Sequence, residues 1–235
     1  MTPWQSEATR RLVAAYDKAE GLGSAPVQIA PTLSDWESKS LIQGLDQGLF
    51  EIDVEGYVQS SLLPQAPARA DKQRMLQLFW HHRNRPRTLF REGVCQLATA
   101  ARLILDRGVK RSQLRMEPSI AEFGDLAYAI DILILSESGG LLVGCEVKKD
   151  DREHNKLLLG FEHCCTRGPH SKDECLHPTN HAKYTICVKH RPKYFVASSP
   201  QLETIYKLTY SGDQVFLEPI PSFDQLSMYL NLSAA

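Results

Sequence analysis

The chain has 235 residues, a formal net charge of −1 and a hydrophobic fraction of 43%, so it can hold one sizeable domain plus a small appendage. No apolar run reaches the ~18 residues that a membrane-spanning helix needs. The N-terminal residues lack the apolar core of a signal peptide, and the six cysteines are irregularly spaced, unlike a secreted disulfide framework. We therefore expect a cytoplasmic protein with no membrane association.

Residues 1–68 predict a small N-terminal subdomain. Apolar periodicity indicates a helix over Trp4–Glu20, and Ser34–Glu37 has the spacing of a capping box that opens a second helix. A short hairpin is predicted over Leu49–Ser60, turning at Glu55-Gly56. Helices plus hairpin suggest a winged-helix-like module, but nine acids against four bases favour a packing or partner-contacting role over nucleic-acid binding.

A basic segment follows the predicted proline-containing linker and lies at the start of the second predicted domain, 69–235. Residues 69–115 contain twelve Lys and Arg against three Asp and Glu. We predict one helix over Asp71–His82 and a second that starts at Pro86 and runs to about Asp106. Such a segment is either a solvated helix face or a surface that attracts phosphates. The nucleic-acid-binding candidates here and farther along are Arg83, Arg85, Arg87, Arg91 and Lys149.

After a predicted first strand over Gln113–Glu117, the central stretch predicts a β-hairpin. Leu126–Leu135 is apolar except for Asp131, and Leu141–Lys148 alternates with period two around a Ser/Gly turn. If Leu135 pairs with Leu142, then Asp131 lies opposite Glu146, at roughly 5 Å between Cβ atoms. Lys148 then lies one pleat further along, on the same face as Glu146.

The predicted pair of carboxylates implies a cation. Two acids this close repel each other, and Mg²⁺ or Mn²⁺ would be suited to the space between them because it takes hard oxygen ligands. Lys148 could then hold a metal-bound water or neutralise a phosphate. The alternative is an ordinary solvated strand face, which does not explain an acid within an apolar strand.

At these residues the sequence resembles the PD-(D/E)XK nuclease superfamily, over roughly residues 86–161. Asp131, a gap and then Glu146-Val147-Lys148 match its motif, although Ile130 replaces the usual proline. The resemblance implies an α/β restriction-endonuclease-like fold, with a mixed central sheet flanked by helices. It also implies that Asp131, Glu146 and the Val147 carbonyl bind metal, that Glu92 completes the ligand shell, and that Lys148 serves the water. The acids held in reserve for Glu92 are Glu117, Glu122 and Asp125.

The implied function is metal-dependent hydrolysis of phosphodiesters. We expect an endonuclease that acts on DNA rather than RNA, in a defence, mobile-element or repair setting, as a homodimer or with a partner subunit. The basic segment supports this expectation because it adjoins the acidic pair. The alternatives are a catalytically inactive nucleic-acid-binding protein on the same fold, or a zinc-containing interaction protein.

The stretch 163–181 is rich in cysteine and histidine, which suggests a Zn²⁺ site in a polar loop. Its spacing matches no standard zinc finger, so the alternative is a flexible loop with incidental thiols. The candidate zinc ligands are Cys164, Cys165, Cys175, His177 and His181.

The remaining elements complete the predicted sheet. A helix after Lys149 should pack on it, and strands are predicted over Tyr184–Val188, Tyr194–Ser198 and Val215–Glu218. Tyr206–Tyr210 is either a strand or part of a helix over Thr204–Leu208, and Ser222–Leu230 predicts a final helix. A second basic cluster is expected on the side of the acidic site and comprises Lys183, Lys189, His190, Arg191 and Lys193.

Overall fold

The computed structural model describes residues 1–20, 33–64, 76–82, 85–119, 123–124 and 129–222. Of residues 19, 20, 80–82 and 85–87 it describes the backbone alone. The chain forms two compact units, Met1–Asp106 and Arg107–Ala235, so the boundary predicted at residue 68 lies inside the first unit. Among the described helices, none has the length and apolarity needed to span a bilayer.

The first unit begins with the elements that the sequence predicts. Helices α1 (Pro3–Glu20) and α2 (Asp35–Asp46) are followed by the hairpin strands β1 (Glu51–Ile52) and β2 (Val58–Gln59). Ser34 and Glu37 form the predicted capping box at the start of α2. That box supplies partners for backbone N–H groups that a helix N-terminus otherwise leaves unpaired.

The predicted helix over Asp71–His82 is wrong where the structure describes it. Phe79–His82 is strand β3, which pairs antiparallel with β4 (Arg85–Leu89), and helix α3 starts only at Arg91 and ends at Leu105. Pro86 therefore lies in a strand and does not begin the helix. A two-stranded ribbon accepts proline because both strands are edges, and the buried Phe79 is held edge-on to the Tyr16 ring, 5.4 Å between centroids.

The second unit contains a six-stranded mixed sheet, in the order β10–β9–β8–β7–β6–β5. All neighbouring strands are antiparallel except β7 and β8, which run parallel. The predicted strands over Gln113–Glu117, Tyr194–Ser198 and Val215–Glu218 are confirmed, and Tyr206–Tyr210 is a strand. The bounds are β5 Leu114–Met116, β6 Ile132–Leu135, β7 Leu141–Val147, β8 Tyr194–Ser198, β9 Glu203–Ser211 and β10 Gln214–Ile220.

Two helices, α4 (Asp151–Arg167) and α5 (Pro178–His190), connect the parallel strands and flank the sheet. Asp150 caps α4 by accepting a hydrogen bond from the Glu153 N–H, 2.9 Å, and Phe161 stacks on Phe195 of β8 at 4.1 Å between ring centroids. A parallel connection requires such a crossover. The second unit is therefore a mixed α/β structure with a helix-flanked sheet.

Helix α5 corrects two predictions. Tyr184–Val188 is helical and not a strand, and the Cys/His-rich stretch 163–181 is not one loop, since its first residues end α4 and its last begin α5. The β-branched residues suggested a strand, but burial of Tyr184, Ile186 and Cys187 selects the helix. The helix predicted over Ser222–Leu230 lies outside the described residues, except for Ser222.

The two crossover helices approach each other closely at Gly160. A Cβ at this position would overlap the side-chain amide of Asn180 in α5. That amide is 8% exposed and lies 3.4 Å from the Lys156 carbonyl of α4. The absence of a side chain at residue 160 therefore lets α5 contact the backbone of its neighbour.

Candidate functional site

Asp131 and Glu146 lie on adjacent strands, where β6 begins and β7 approaches its end. Ile132 pairs with Cys145. Asp131, which precedes Ile132, therefore lies beside Glu146, which follows Cys145. The Val147 N–H donates to Asp131 Oδ2 at 2.7 Å, which fixes this carboxylate against β7. The predicted Leu135–Leu142 pairing is wrong, because an irregularity after Ile134 pairs Leu135 with Leu141, but the register at Asp131 is unaffected.

Lys148 lies between the two carboxylates. Its Nζ is 3.0 Å from Glu146 Oε2 and 3.8 Å from Asp131 Oδ2. Both acids thus lie close enough to one ammonium group to share a ligand, which is the arrangement that the strand register predicts. Glu146 is 2% exposed and the Asp131 side chain 20%, so the cluster is largely shielded and opens to solvent on the Asp131 side.

A second lysine reaches the same carboxylate from helix α5. Lys183 Nζ lies 3.3 Å from Glu146 Oε2, and its side chain is 12% exposed. The sequence placed Lys183 in a basic cluster, but the strand predicted across this region hid its direct contact with Glu146. Lys183 is three residues after the buried Asn180, so the two side chains lie on the same face of a helix. Only a helical prediction for this segment would have indicated that Lys183 points inward.

The charges around Asp131 oppose its ionisation. Burial raises the pKa of Asp131 well above its ordinary value, and the negative charges of Glu146 and Glu117 raise it further. Lys148 and the Val147 N–H lower it but do not compensate. An additional positive charge beside Asp131 would stabilise its ionised form.

Glu117, one of the reserve acids, immediately follows β5 and lies beside Asp131 in the backbone. Its N–H donates to the Asp131 carbonyl at 2.8 Å. Its φ of 43° is in the left-handed region, which non-glycine residues rarely occupy. The other two reserve acids, Glu122 and Asp125, lie outside the described residues.

Several predicted residues lie elsewhere in the chain. Glu92 is the second residue of α3 in the first unit, and its role as a metal ligand stays a prediction. Arg91 pairs with the buried Glu37 at 2.6 Å and is 15% exposed, so its guanidinium is engaged inside the first unit, and its role in binding nucleic acid stays a prediction. Arg83 lies outside the described residues, as do the side chains of Arg85 and Arg87, and Lys149 is exposed just after β7.

Between α4 and α5, Cys164, His170 and Cys175 form a separate cluster. Their ligand atoms all lie within 4.8 Å of one another, so the group could bind a metal such as zinc. Burial raises the pKa of Cys164 to about 12. Burial also acts to raise the pKa of Cys175, but the nearby His170 ring and a hydrogen bond from the His177 N–H leave that pKa below its ordinary value.

This cluster differs from the ligand set that the sequence predicts. Cys165 is buried in α4, but consecutive helical residues point about 100° apart, so it does not join Cys164. His177 and His181 are also outside the group, and His181 Nε2 instead contacts the His170 carbonyl at 2.9 Å. His170 was missed because a histidine in an irregular segment has no periodicity that would reveal where its ring lies.

Comparison with known proteins adds no family: the sequence matches no protein-family model and has no significant match among curated proteins.

Proposed function

We propose that this chain is a metal-dependent nuclease that hydrolyses nucleic-acid phosphodiesters at Asp131, Glu146 and Lys148. The observation that carries the proposal is the buried Glu146 carboxylate beside the partly exposed Asp131 carboxylate, with one ammonium group 3.0 and 3.8 Å from them, respectively. The resemblance to the PD-(D/E)XK superfamily supports it, since these residues match that motif one by one.

Asp131 and Glu146 would hold Mg²⁺ or Mn²⁺, with the Val147 carbonyl as a further predicted ligand. A bound cation would lower the pKa of a coordinated water and neutralise charge on the phosphate. The protein's own residues supply the setting: the Val147 N–H orients the Asp131 carboxylate, and the buried position of Glu146 lowers the local dielectric, which strengthens its electrostatic interactions. Lys148 would orient the attacking water or contact the scissile phosphate.

The proposed substrate is DNA in preference to RNA, and the proposed reaction is endonucleolytic. Positive charge in the segment 69–115 supports binding of the phosphate backbone. Cleavage of both strands of a duplex requires two sites, so we include a homodimer or a partner subunit in the proposal. Restriction, phage defence, mobile-element transfer and repair would all use this chemistry.

A second candidate is an inactive protein on the same fold that binds nucleic acid or a protein partner. One observation favours it: Glu146 is already paired with two ammonium groups, from Lys148 and Lys183. A carboxylate neutralised in this way needs no cation. The cysteine–histidine cluster would then serve an interaction protein that contains zinc.

The test is cleavage of single- and double-stranded DNA and RNA by the purified protein, with Mg²⁺, Mn²⁺ or EDTA. We expect cleavage only with a divalent ion, and a loss of about 10²-fold or more in Asp131→Asn, Glu146→Gln and Lys148→Met. Glu153→Gln is the matched control, because Glu153 forms an exposed pair with Lys156 on the neighbouring helix.

Binding of the same substrates, measured by mobility shift, separates the two candidates. Metal-independent binding without cleavage of any substrate would favour the inactive protein. Equal activity in wild type and in Asp131→Asn would contradict the proposed site, because the loss of a metal-binding carboxylate should lower the cleavage rate.

A further inference from the structure

The connection between α4 and α5 carries a second group of ligand-type side chains, away from the acidic site. Cys164 ends α4, His170 lies in the connection, and Cys175 follows a short 3₁₀ turn at Lys172–Glu174. The two sulfur atoms are 3.3 Å apart. That distance is far longer than the ~2.05 Å of a disulfide bond, and it is roughly 0.5 Å shorter than the separation of two thiolates on a tetrahedral zinc ion, so a small outward shift of the two sulfur atoms would admit the ion.

The His170 ring is oriented as a metal ligand would be. Its Nδ1 lies 2.6 Å from the Gly168 carbonyl, so Nδ1 carries the proton and donates it there. Nε2 is then left with its lone pair, and it is a buried atom for which no hydrogen bond is formed among the described residues. Metal-binding histidines commonly donate their other ring N–H to a backbone carbonyl in this way.

The connection has few apolar contacts, and it is ordered mainly by hydrogen bonds such as those between Ser171 and Glu174. Of residues 168–177, only Gly168 and Cys175 are buried, and Leu176 is 73% exposed. A segment with so few apolar contacts gains order chiefly from hydrogen bonds or from a cross-link. Two buried cysteines and a half-buried histidine are the side chains that anchor this connection to the interior.

We propose that Cys164, His170 and Cys175 hold one Zn²⁺ ion through their sulfur atoms and Nε2, with water as the fourth ligand. No fourth Cys, His, Asp or Glu of the described part of the chain joins the group. Soft thiolates with one imidazole select zinc over Mg²⁺, which prefers oxygen ligands.

The ion would close the connection that leads into α5, and α5 carries Lys183 to Glu146. The proposed zinc would therefore restrain the segment that precedes the helix carrying this lysine. The inference does not depend on the nuclease proposal, because metal content is measured without nucleic acid.

The experiment is elemental analysis of the full chain, purified without a histidine tag and dialysed against metal-free buffer. We expect about one zinc per chain in the wild type. Chelation should lower the thermal midpoint by roughly 10 °C, because a ligand bound only to the folded state stabilises it. Replacement by cobalt(II) should give a thiolate-to-metal charge-transfer absorption.

Adjacent cysteines provide the matched control. Cys164→Ala and Cys175→Ala should lose the zinc, whereas Cys165→Ala, which removes an equally buried thiol one position along the same helix, should keep it. Likewise His170→Ala should lose most of the zinc and His177→Ala should retain it.

Three results would overturn the proposal. The first is a wild type that contains no zinc, takes up none on addition, and has all six thiols titratable. The second is a disulfide between Cys164 and Cys175, detected as protected thiols that reappear on reduction. The third is equal loss of zinc from Cys165→Ala and Cys164→Ala. The first two need no variant, so a variant that fails to fold does not affect them.

Discussion

Two buried glutamates, one in each unit, show how differently the same side chain is used. Glu37 is fully buried and accepts hydrogen bonds from the Ser34 N–H at 2.8 Å and the Ser34 hydroxyl at 2.7 Å. It also pairs with Arg91 at 2.6 Å. Each of these contacts ties α2 to the chain before it or to α3, so structure alone explains the acid.

Glu146 is buried to a similar degree but lies beside another acid. Its described partners are the ammonium groups of Lys148 and Lys183, and its charge raises the pKa of Asp131. No cap or backbone contact of this kind requires it. A single buried carboxylate therefore does not identify a functional site. A buried carboxylate beside a second acid, which the fold does not require, is stronger evidence for such a site.

The largest expected effect is on Glu37. Glu37→Gln keeps a residue that suits the capping box but removes the charge opposite the largely buried Arg91, so we expect a loss of about 3 kcal/mol. Urea denaturation followed by circular dichroism measures it. A loss below about 1 kcal/mol would show that the Arg91 pair contributes little beyond the cap.

Asp131→Asn should instead stabilise the protein, in EDTA, by on the order of 1 kcal/mol at neutral pH. Because the folded-state pKa of Asp131 is raised, the unfolded chain ionises first as pH rises. The cost to folding therefore begins near pH ~4, grows until the folded pKa, and persists above it.

Asparagine cannot ionise, so the gain should vanish below pH ~4. Denaturation midpoints of wild type and variant across this range make the measurement. A gain that is independent of pH would contradict the electrostatic explanation and point to shape or hydrogen bonding.

Glu146→Gln should change stability by less than about 1 kcal/mol, in contrast to the same change at Glu37. Neutralisation weakens two ion pairs but also removes the repulsion with Asp131, and Lys148 keeps that acid within 3.8 Å. Parallel urea titrations of the two Glu→Gln variants make the comparison direct. Equal losses would place Glu146 with Glu37 as a structural acid.

The smallest effect belongs to an exposed glutamate in the hairpin turn. Glu137 pairs with Lys110 at 3.1 Å, but the two side chains are 83% and 62% exposed. Glu137→Ala should change stability by less than about 0.5 kcal/mol, an effect that salt should diminish further. A larger, salt-insensitive loss in a thermal melt would mean that the turn depends on this side chain for another reason.

The sequence was sufficient where local pattern and pairing agree. The capping box at Ser34–Glu37 and the hairpin that places Asp131 beside Glu146 depend on short-range chemistry. An acid within an apolar strand, a Ser/Gly turn and period-two alternation predict a register that is correct at Ile132–Cys145 and wrong at the turn. The irregularity after Ile134 shifts the pairing only on the turn side of the strand, so the acidic pair is unaffected.

Elsewhere, tertiary packing overrode local preference. The apolar run ending at His82 suits a helix, yet Phe79–His82 pairs with Arg85–Leu89 as a ribbon. Tyr184–Val188 is rich in β-branched residues, which favour strands, yet the segment is helical and its buried residues pack in the core. The contact of Lys183 with Glu146 joins residues distant in sequence, and no periodicity within one segment reports such convergence.

Gly160 has a consequence for the acidic site. Substitution by alanine would displace the Asn180 amide from the backbone of α4, and the added Cβ, 3.1 Å from the Asn180 Cβ, would shift α5 by a few tenths of an ångström. Lys183 sits one turn beyond Asn180, so its ammonium group would retreat from Glu146 with the helix. The charges that surround Glu146 in the sheet thus depend on Gly160, a distant residue that acts only by having no side chain.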